Sequence, residues 1–293
     1  METSDKKDYL RIGLIQTSID QDLAWDLVEN TQINMSLTEE LRVWSEIKKG
    51  ISYLKSEPEN NHPHIVILPE LTVPLSKEYE LQKIASKIGA VIIAGLDFSE
   101  NNESVENKAV VIIPKLWPKT PSYGIARKFY FGKTFFSYSE NNFFNKKNRV
   151  GKPWPAMYIL DAGAYGTIGV AICSDFFDIE RFMIYKGRIQ HMLVIAYNKD
   201  VKSYYFLAEA ISRLVYCNVA ICNTGYYGGS MVFSPHSDDY KRYIYKHEGG
   251  KLFATQIVNL PVKSLYDEQK SDSEIDENKT FKAKPPGYKF KDF

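Results

Sequence analysis

Thr167-Ile168-Gly169-Val170-Ala171-Ile172-Cys173-Ser174-Asp175-Phe176-Phe177-Asp178 is the stretch from which the fold can be read. Thr167 to Ile172 are apolar or β-branched, with Gly169 alone to weaken them, and read as a buried strand. The strand ends at Cys173. Asp178 then opens a helix with apolar residues at Ile179, Phe182 and Met183. A cysteine at the carboxyl end of a buried strand, just before a helix, stands where open α/β sheets bind ligands. The helix N-terminus there also favours a thiolate. A free cysteine more often only packs in a core, so the rest of the chain has to decide.

Outward from this stretch the pattern is α/β. Leu10 to Gln16 and Ile65 to Leu68 read as strands, with Ser36-x-x-Glu39 as a capping box between them. Leu37, Leu41, Trp44, Ile47, Ile51 and Leu54 follow that box at helical spacing. Thr17 to Met35 lacks periodicity and reads as a long loop or a short irregular helix. A helix ends at Gly89, and Ala90 to Ala94 and Ala109 to Ile113 are further strands. After Cys173 come a strand at Met192 to Ala196, a helix at Ser203 to Cys217 and a strand at Val219 to Asn223. Tyr240 to Tyr245 and Lys251 to Leu260 read as a late hairpin through Gly249-Gly250. Gly225, Gly228 and Gly229 allow a tight turn or a close backbone approach to a ligand.

Four further charged residues bear on chemistry. Glu70 follows four apolar residues and Pro69, and Leu71 continues the run. A carboxylate in such a setting is buried, has a raised pKa and can accept a proton near neutrality. Arg127 and Lys128 are adjacent, so on a strand they point to opposite faces and one can face inward. Phe131-Gly132-Lys133-Thr134 has the look of a P-loop ending, but the motif needs glycine where the chain has Arg127. Lys133, after a flexible glycine, reads as a solvated turn residue.

Composition sets the outer limits. The chain has 293 residues, 44% hydrophobic and 25% charged, with formal net charge +1. Balanced charge gives no reason to expect nucleic acid or an anionic membrane as partner. The apolar runs are too short for a membrane span. Three cysteines at positions 173, 217 and 222, an odd count without paired spacing, fit a reducing cytoplasm. The five histidines show no ligand spacing, so no metal and no cofactor is expected.

Leu68-Pro69-Glu70-Leu71, Ala126-Arg127-Lys128 and Gly169 to Asp175, in this order and at these distances, resemble the nitrilase superfamily, the carbon-nitrogen hydrolases. Gln16, Ala210-x-x-Arg213 before Asn218 and Asn223, and Gly228-Gly229-Ser230 with Pro235 extend the resemblance from about Leu10 to about Leu260. It implies a four-layer α-β-β-α sandwich and a Glu-Lys-Cys triad. Cys173 is then the nucleophile, Glu70 the general base and Lys128 the oxyanion donor. The Ser174 backbone N–H assists, and Glu140 positions lysine or substrate. The residue after the cysteine is commonly Tyr or Trp in that family and is Ser174 here. Cys173-Ser174-Asp175 is closer to the amidase-like Cys-x-Asp than to the Cys-Trp-Glu of nitrile-hydrolysing branches.

The expected function is hydrolysis of a small-molecule amide through a thioester. The alternatives are a small-molecule-binding or effector module on the same fold, or an acyl-transfer or ammonia-supplying member. The expected organisation is a hydrolase domain at 8–266 and a polar tail at 267–293, disordered or packed on a partner subunit. The family implies a homodimer or higher homo-oligomer, packed through the apolar face of Ile179, Phe182 and Met183.

Overall fold

The computed structural model describes residues 5–26, 32–118, 124–271 and 280–291. Thr167–Ile172 is a strand, buried except at Thr167. It lies in a six-stranded sheet of order Tyr243–Lys246, Met231–Phe233, Asn218–Asn223, His191–Ala196, Thr167–Ile172 and Ile159–Asp161. The three consecutive strands Thr167–Ile172, His191–Ala196 and Asn218–Asn223 are parallel. A second six-stranded sheet has the order Ala254–Pro261, Tyr9–Gln16, Ile65–Val73, Val91–Leu96, Lys108–Ile113 and Arg127–Gly132.

Side-chain alternation divides the core. Leu10, Ile12, Leu14, Ile65, Ile67, Ile93 and Val111 pack in one cluster with Ile168, Val170, Leu193 and Ile221 of the other sheet. Their strand neighbours Val66, Leu68, Ile92, Ala94 and Ile112 pack in a second cluster, with Val43, Trp44, Ile47, Leu81 and Ala85 of the helices Leu37–Ser56 and Glu78–Ile88. Residues of period two thus face sheet on one side and helix on the other. On the other sheet Phe182, Tyr185, Ala208 and Ile211 bring helices Ile179–Tyr185 and Val201–Ile211 into the core. This arrangement is consistent with the expected four layers. Burying each such Ile or Leu contributes about 1.5–3 kcal/mol relative to leaving it exposed.

Three expectations change. The Leu37–Ser56 helix is capped by Ser36, whose side chain accepts from Glu39 N, but Leu37 and Leu41 are exposed. The buried stripe starts only at Val43 and Trp44. The late hairpin does not form. Tyr243–Lys246 pairs with Met231–Phe233, whereas Ala254–Pro261 pairs with Tyr9–Gln16, so Gly249-Gly250 carries the chain from one sheet to the other. Alternation identifies a strand but not its partner.

The third concerns the tail. A helix at Lys263–Lys270 runs across the expected domain boundary, and residues 280–291 lie back on the same chain. Phe281 is buried with Tyr216 and Leu265. Ser237 Oγ donates to Phe281 O at 2.8 Å and Lys291 N to Gly187 O at 2.8 Å. The polar composition concealed the anchors Phe281 and Tyr288.

Within Thr17–Met35, Asp22–Asp26 forms one π-helical turn, and residues 27–31 lie outside the described residues. Buried Asp97 holds the segment on either side of those residues, accepting from Trp25 Nε1 at 3.1 Å and Met35 N at 2.8 Å. Among the described residues no helix is long and apolar enough to cross a membrane.

Candidate active site

Glu70 sits where its strand breaks register. Ile65 to Leu68 pair with Val91 to Ala94, and the ladder resumes only at Val73 opposite Leu96. Leu71 adopts φ +56°, so the break turns the Glu70 side chain away from the regular alternation. Gly95 makes room for this: a Cβ there would lie 2.4 Å from Glu70 Cα and 2.6 Å from Leu71 N. Glu70 Oε2 accepts from Tyr197 N at 2.9 Å, the first residue past the His191–Ala196 strand of the other sheet.

A lysine meets it, and it is Lys133. Its Nζ donates to Glu70 Oε1 at 2.8 Å and to Glu140 Oε2 at 2.6 Å. Lys133 and Glu70 are each only 1% exposed. Asn107 ties the two carboxylates together, Nδ2 donating to Glu70 Oε1 at 2.8 Å and to Glu140 Oε1 at 2.9 Å. Its main-chain carbonyl also accepts from Lys133 N at 2.8 Å. Glu140 stands in the first turn of the Tyr138–Lys146 helix and completes a capping box with Ser137. One side chain therefore caps a helix and holds the ammonium.

Cys173 stands directly after its strand with φ +44°, a left-handed conformation that is costly for most residues other than glycine. A 3₁₀ turn, Cys173–Phe177, follows directly. Asp175 accepts from Thr134 N at 3.1 Å and Phe135 N at 2.9 Å, and Ser174 Oγ donates to Phe135 O. These bonds fasten the turn after Cys173 to the turn after Lys133. Arg181, 3.4 Å from Asp175 Oδ2, balances that buried carboxylate. Cys173 Sγ lies 4.0 Å from Tyr197 O, so Tyr197 meets Glu70 through its N–H and the thiol through its carbonyl.

The charges follow from this burial. Burial pushes Glu70 above the ordinary carboxylate range and the Glu140 charge adds to it, against the pull of Lys133. Glu140 is buried too, yet Lys133 and the Ser137 and Asn107 donors bring it below the ordinary value. Burial disfavours the Lys133 charge, but Glu140 and Glu70 overcome that and hold the ammonium well above its ordinary pKa. Burial, with the Glu70 charge behind it, pushes the Cys173 thiol up to about 12. The resting site is thus a fixed ammonium, an ionised Glu140, and a protonated thiol beside a carboxylate of raised proton affinity.

No protein family's sequence profile matches the chain, and no curated protein matches it. Solved structures do match in shape. A CN-hydrolase superfamily protein from Xanthomonas campestris superposes with TM-score 0.60 at 14% identity, over 90% of this chain and 94% of that one. Nit3 of Saccharomyces cerevisiae, a member of branch 10 of the nitrilase superfamily, gives 0.61 at 15%, over 90% and 96%. This chain has the nitrilase-superfamily fold. An amidase from Nesterenkonia sp. AN1 gives TM-score 0.60 at 14% identity, over 88% of this chain and 93% of that one. A variant of that amidase carries the acetamide moiety of fluoroacetamide covalently at its active site cysteine.

On this nitrilase fold Glu70, Glu140 and Cys173 converge and Lys128 does not join them. Lys128 Nζ pairs with Glu78 at the sheet margin, with 36% of its side chain exposed. Strand direction explains the difference. Arg127–Gly132 runs antiparallel to Lys108–Ile113, itself antiparallel to Val91–Leu96, which is parallel to Ile65–Val73. The carboxyl end of Arg127–Gly132 therefore lies level with Glu70. Lys128 registers with Ile112, Ile92 and Val66, about 13 Å back along the sheet. Lys133 is also not a solvated turn residue, because Asn107 O and Trp154 N hold both of its peptide groups.

Sequence reasoning passed over Asn107, a type common in loops, and Tyr197, which meets the site through its main chain, and gave Asp175 no role. The glycine loop approaches chain rather than an open site: a Cβ on Gly225 would lie 2.2 Å from Leu252 O, and one on Gly228 2.1 Å from Gly249 O.

Proposed function

We propose that this protein is a cysteine-dependent hydrolase of carbon-nitrogen bonds, acting on a small-molecule amide. The observation that carries the reading is the buried Lys133 ammonium shared by Glu70 and Glu140 beside Cys173 in its strained turn. Cys173 is the nucleophile, Glu70 the general base, Lys133 the oxyanion donor and Glu140 the group that fixes Lys133. The thiol is protonated at rest and attacks only as its proton moves to Glu70. Lys133, with the Ser174 N–H, stabilises the charge that develops on the carbonyl oxygen in a site with little water. Glu70 then returns the proton to the departing amine or ammonia, leaving a thioester. It next takes a proton from the water that cleaves that thioester. The amidase with an adduct on its cysteine supports the choice of nucleophile by analogy of fold. Ammonia release measured over a panel of amides and nitriles, with Cys173→Ala as control, tests the reading. Release unchanged in the control would overturn it.

Covalent chemistry at Cys173 has a separate test. Cys217 and Cys222 are fully buried, and burial raises both thiols, whereas Cys173 is 7% exposed at a strand end. Iodoacetamide should label Cys173 first and inactivate the protein in step, as read by peptide mass spectrometry. Equal labelling of the three with activity retained would refute it.

Self-association belongs to the same reading. Ile179 and Met183 are exposed, and Phe177, Ile184, Phe206 and Leu214 add to the apolar surface on the Ile179–Tyr185 and Val201–Ile211 side. Exposed apolar area of this kind marks an interaction face. Light scattering at micromolar concentration should give a dimer or larger species, and Met183→Glu should shift it toward monomer. A wild-type monomer would count against the proposal.

A further inference from the structure

Tyr204 acts on the nucleophile, and the mechanism gives it no role. It lies in the first turn of the Val201–Ile211 helix and is 1% exposed. Its ring stands 5.6 Å from that of Phe176 and 5.5 Å from that of Phe177, both in the turn that Cys173 begins. Its hydroxyl is buried and makes no well-formed hydrogen bond. A phenol is both donor and acceptor, and leaving it unmatched in a core is unfavourable. The polar groups that act on it are Cys173 and Asn198, with the Glu70 charge behind them. The Asn198 acceptor is already engaged: its Oδ1 accepts from Asp200 N at 2.7 Å, and its main chain exchanges bonds with the Asn223 side chain, so Asn198 can approach the phenol only as a donor through Nδ2. Cys173 Sγ has only the long 4.0 Å approach to Tyr197 O.

We infer that Tyr204 is a positioning residue whose hydroxyl donates to Cys173 Sγ when the sulfur carries negative charge and holds it in its attacking orientation. The proton stays on the phenol throughout. When the sulfur becomes a neutral thioester its demand for a donor falls, and the hydroxyl regains a demand when the thiolate leaves the acyl group. Lys133 cannot take this part as well, because Glu70 and Glu140 occupy its ammonium and the oxyanion requires it. The inference rests on the nucleophile assignment above.

Tyr204→Phe keeps both ring contacts and removes only the unmatched hydroxyl, so it should fold. The readout is the pH profile of Cys173 alkylation by iodoacetamide, which needs no known substrate. The groups that face the sulfur are Glu70, Lys133 and Glu140 from three other segments, and all stay in place in the variant. In Tyr204→Phe the profile should move upward by about one pH unit, and kcat/KM on any amide found should fall about tenfold or more through kcat. A wild-type profile in a folded Tyr204→Phe protein would overturn the inference and leave the nucleophile assignment standing. Failure of the wild type to label Cys173 preferentially would overturn both.

Discussion

Lys133→Met should abolish turnover, whereas Lys128→Met should change it by less than about tenfold. The two lysines lie five residues apart at opposite ends of one short strand. Lys128 is partly in solvent and paired with Glu78. Such pairs contribute about 0–1 kcal/mol, and none of that is felt at the site. Lys133 is enclosed, and its loss acts twice. An oxyanion donor removed from a preorganised site costs about 2.7–4 kcal/mol of transition-state stabilisation, or 10²–10³ in rate. Glu70 and Glu140 would also be left facing each other without the charge that reconciles them. They would take up a proton, and Glu70 would stop serving as a base. Breaking a buried pair costs about 3–5 kcal/mol of stability, so a thermal melt must accompany the assay. Lys133→Arg should fail too, since a planar guanidinium does not fit a cradle built around a compact ammonium. Normal turnover in Lys133→Met would remove the ammonium from the mechanism.

What the sequence disclosed and what it concealed divide along one physical line. Cys173 and Glu70 stood out because their signals are local: an apolar strand that stops at the cysteine with a helix start soon after, and a carboxylate set inside the apolar run from Ile65 to Leu71. Glu140 entered only through the resemblance to the nitrilase superfamily; the local signal that could have found it is Ser137, a helix cap three positions before it. The choice between Lys128 and Lys133 depended on the direction of four paired strands, which no local pattern encodes. A glycine before Lys133 suggested flexibility, yet Gly132 is packed so closely on Trp154 that a Cβ would lie 2.6 Å from it. The helix after the second parallel strand shows a related failure. Its apolar residues Leu207, Ile211, Leu214 and Val215 suggest one buried face, but a π turn at Ser212–Tyr216 inserts a residue. Leu214 is thereby turned outward to 56% exposure. Buried Tyr204 lay outside that expected face altogether.

Glu70→Gln should separate the two roles of the carboxylate. In the proposed role of general base Glu70 is worth about 10²–10⁴ in rate, so turnover should fall by at least a hundredfold. The substitution keeps the shape but not the hydrogen bonding. Glu70 accepts from Lys133, Asn107 and Tyr197 N, and an amide must turn its NH₂ toward one of these donors. Some stability should be lost, about 1–3 kcal/mol for one unmatched buried donor. The thiol should respond in the opposite sense to turnover. The Glu70 charge helps to hold Cys173 up near 12, so removing it makes the thiolate easier to form. Alkylation of Cys173 should therefore shift to lower pH in the variant in which catalysis collapses. The wild-type rate should itself fall on the acid side as Glu70 is protonated, at a pH above the ordinary carboxylate range, because burial raises that group. Glu70→Gln should lack this acid limb in its residual activity. A variant that turns over within tenfold of wild type, or keeps the limb, would assign the base to another group.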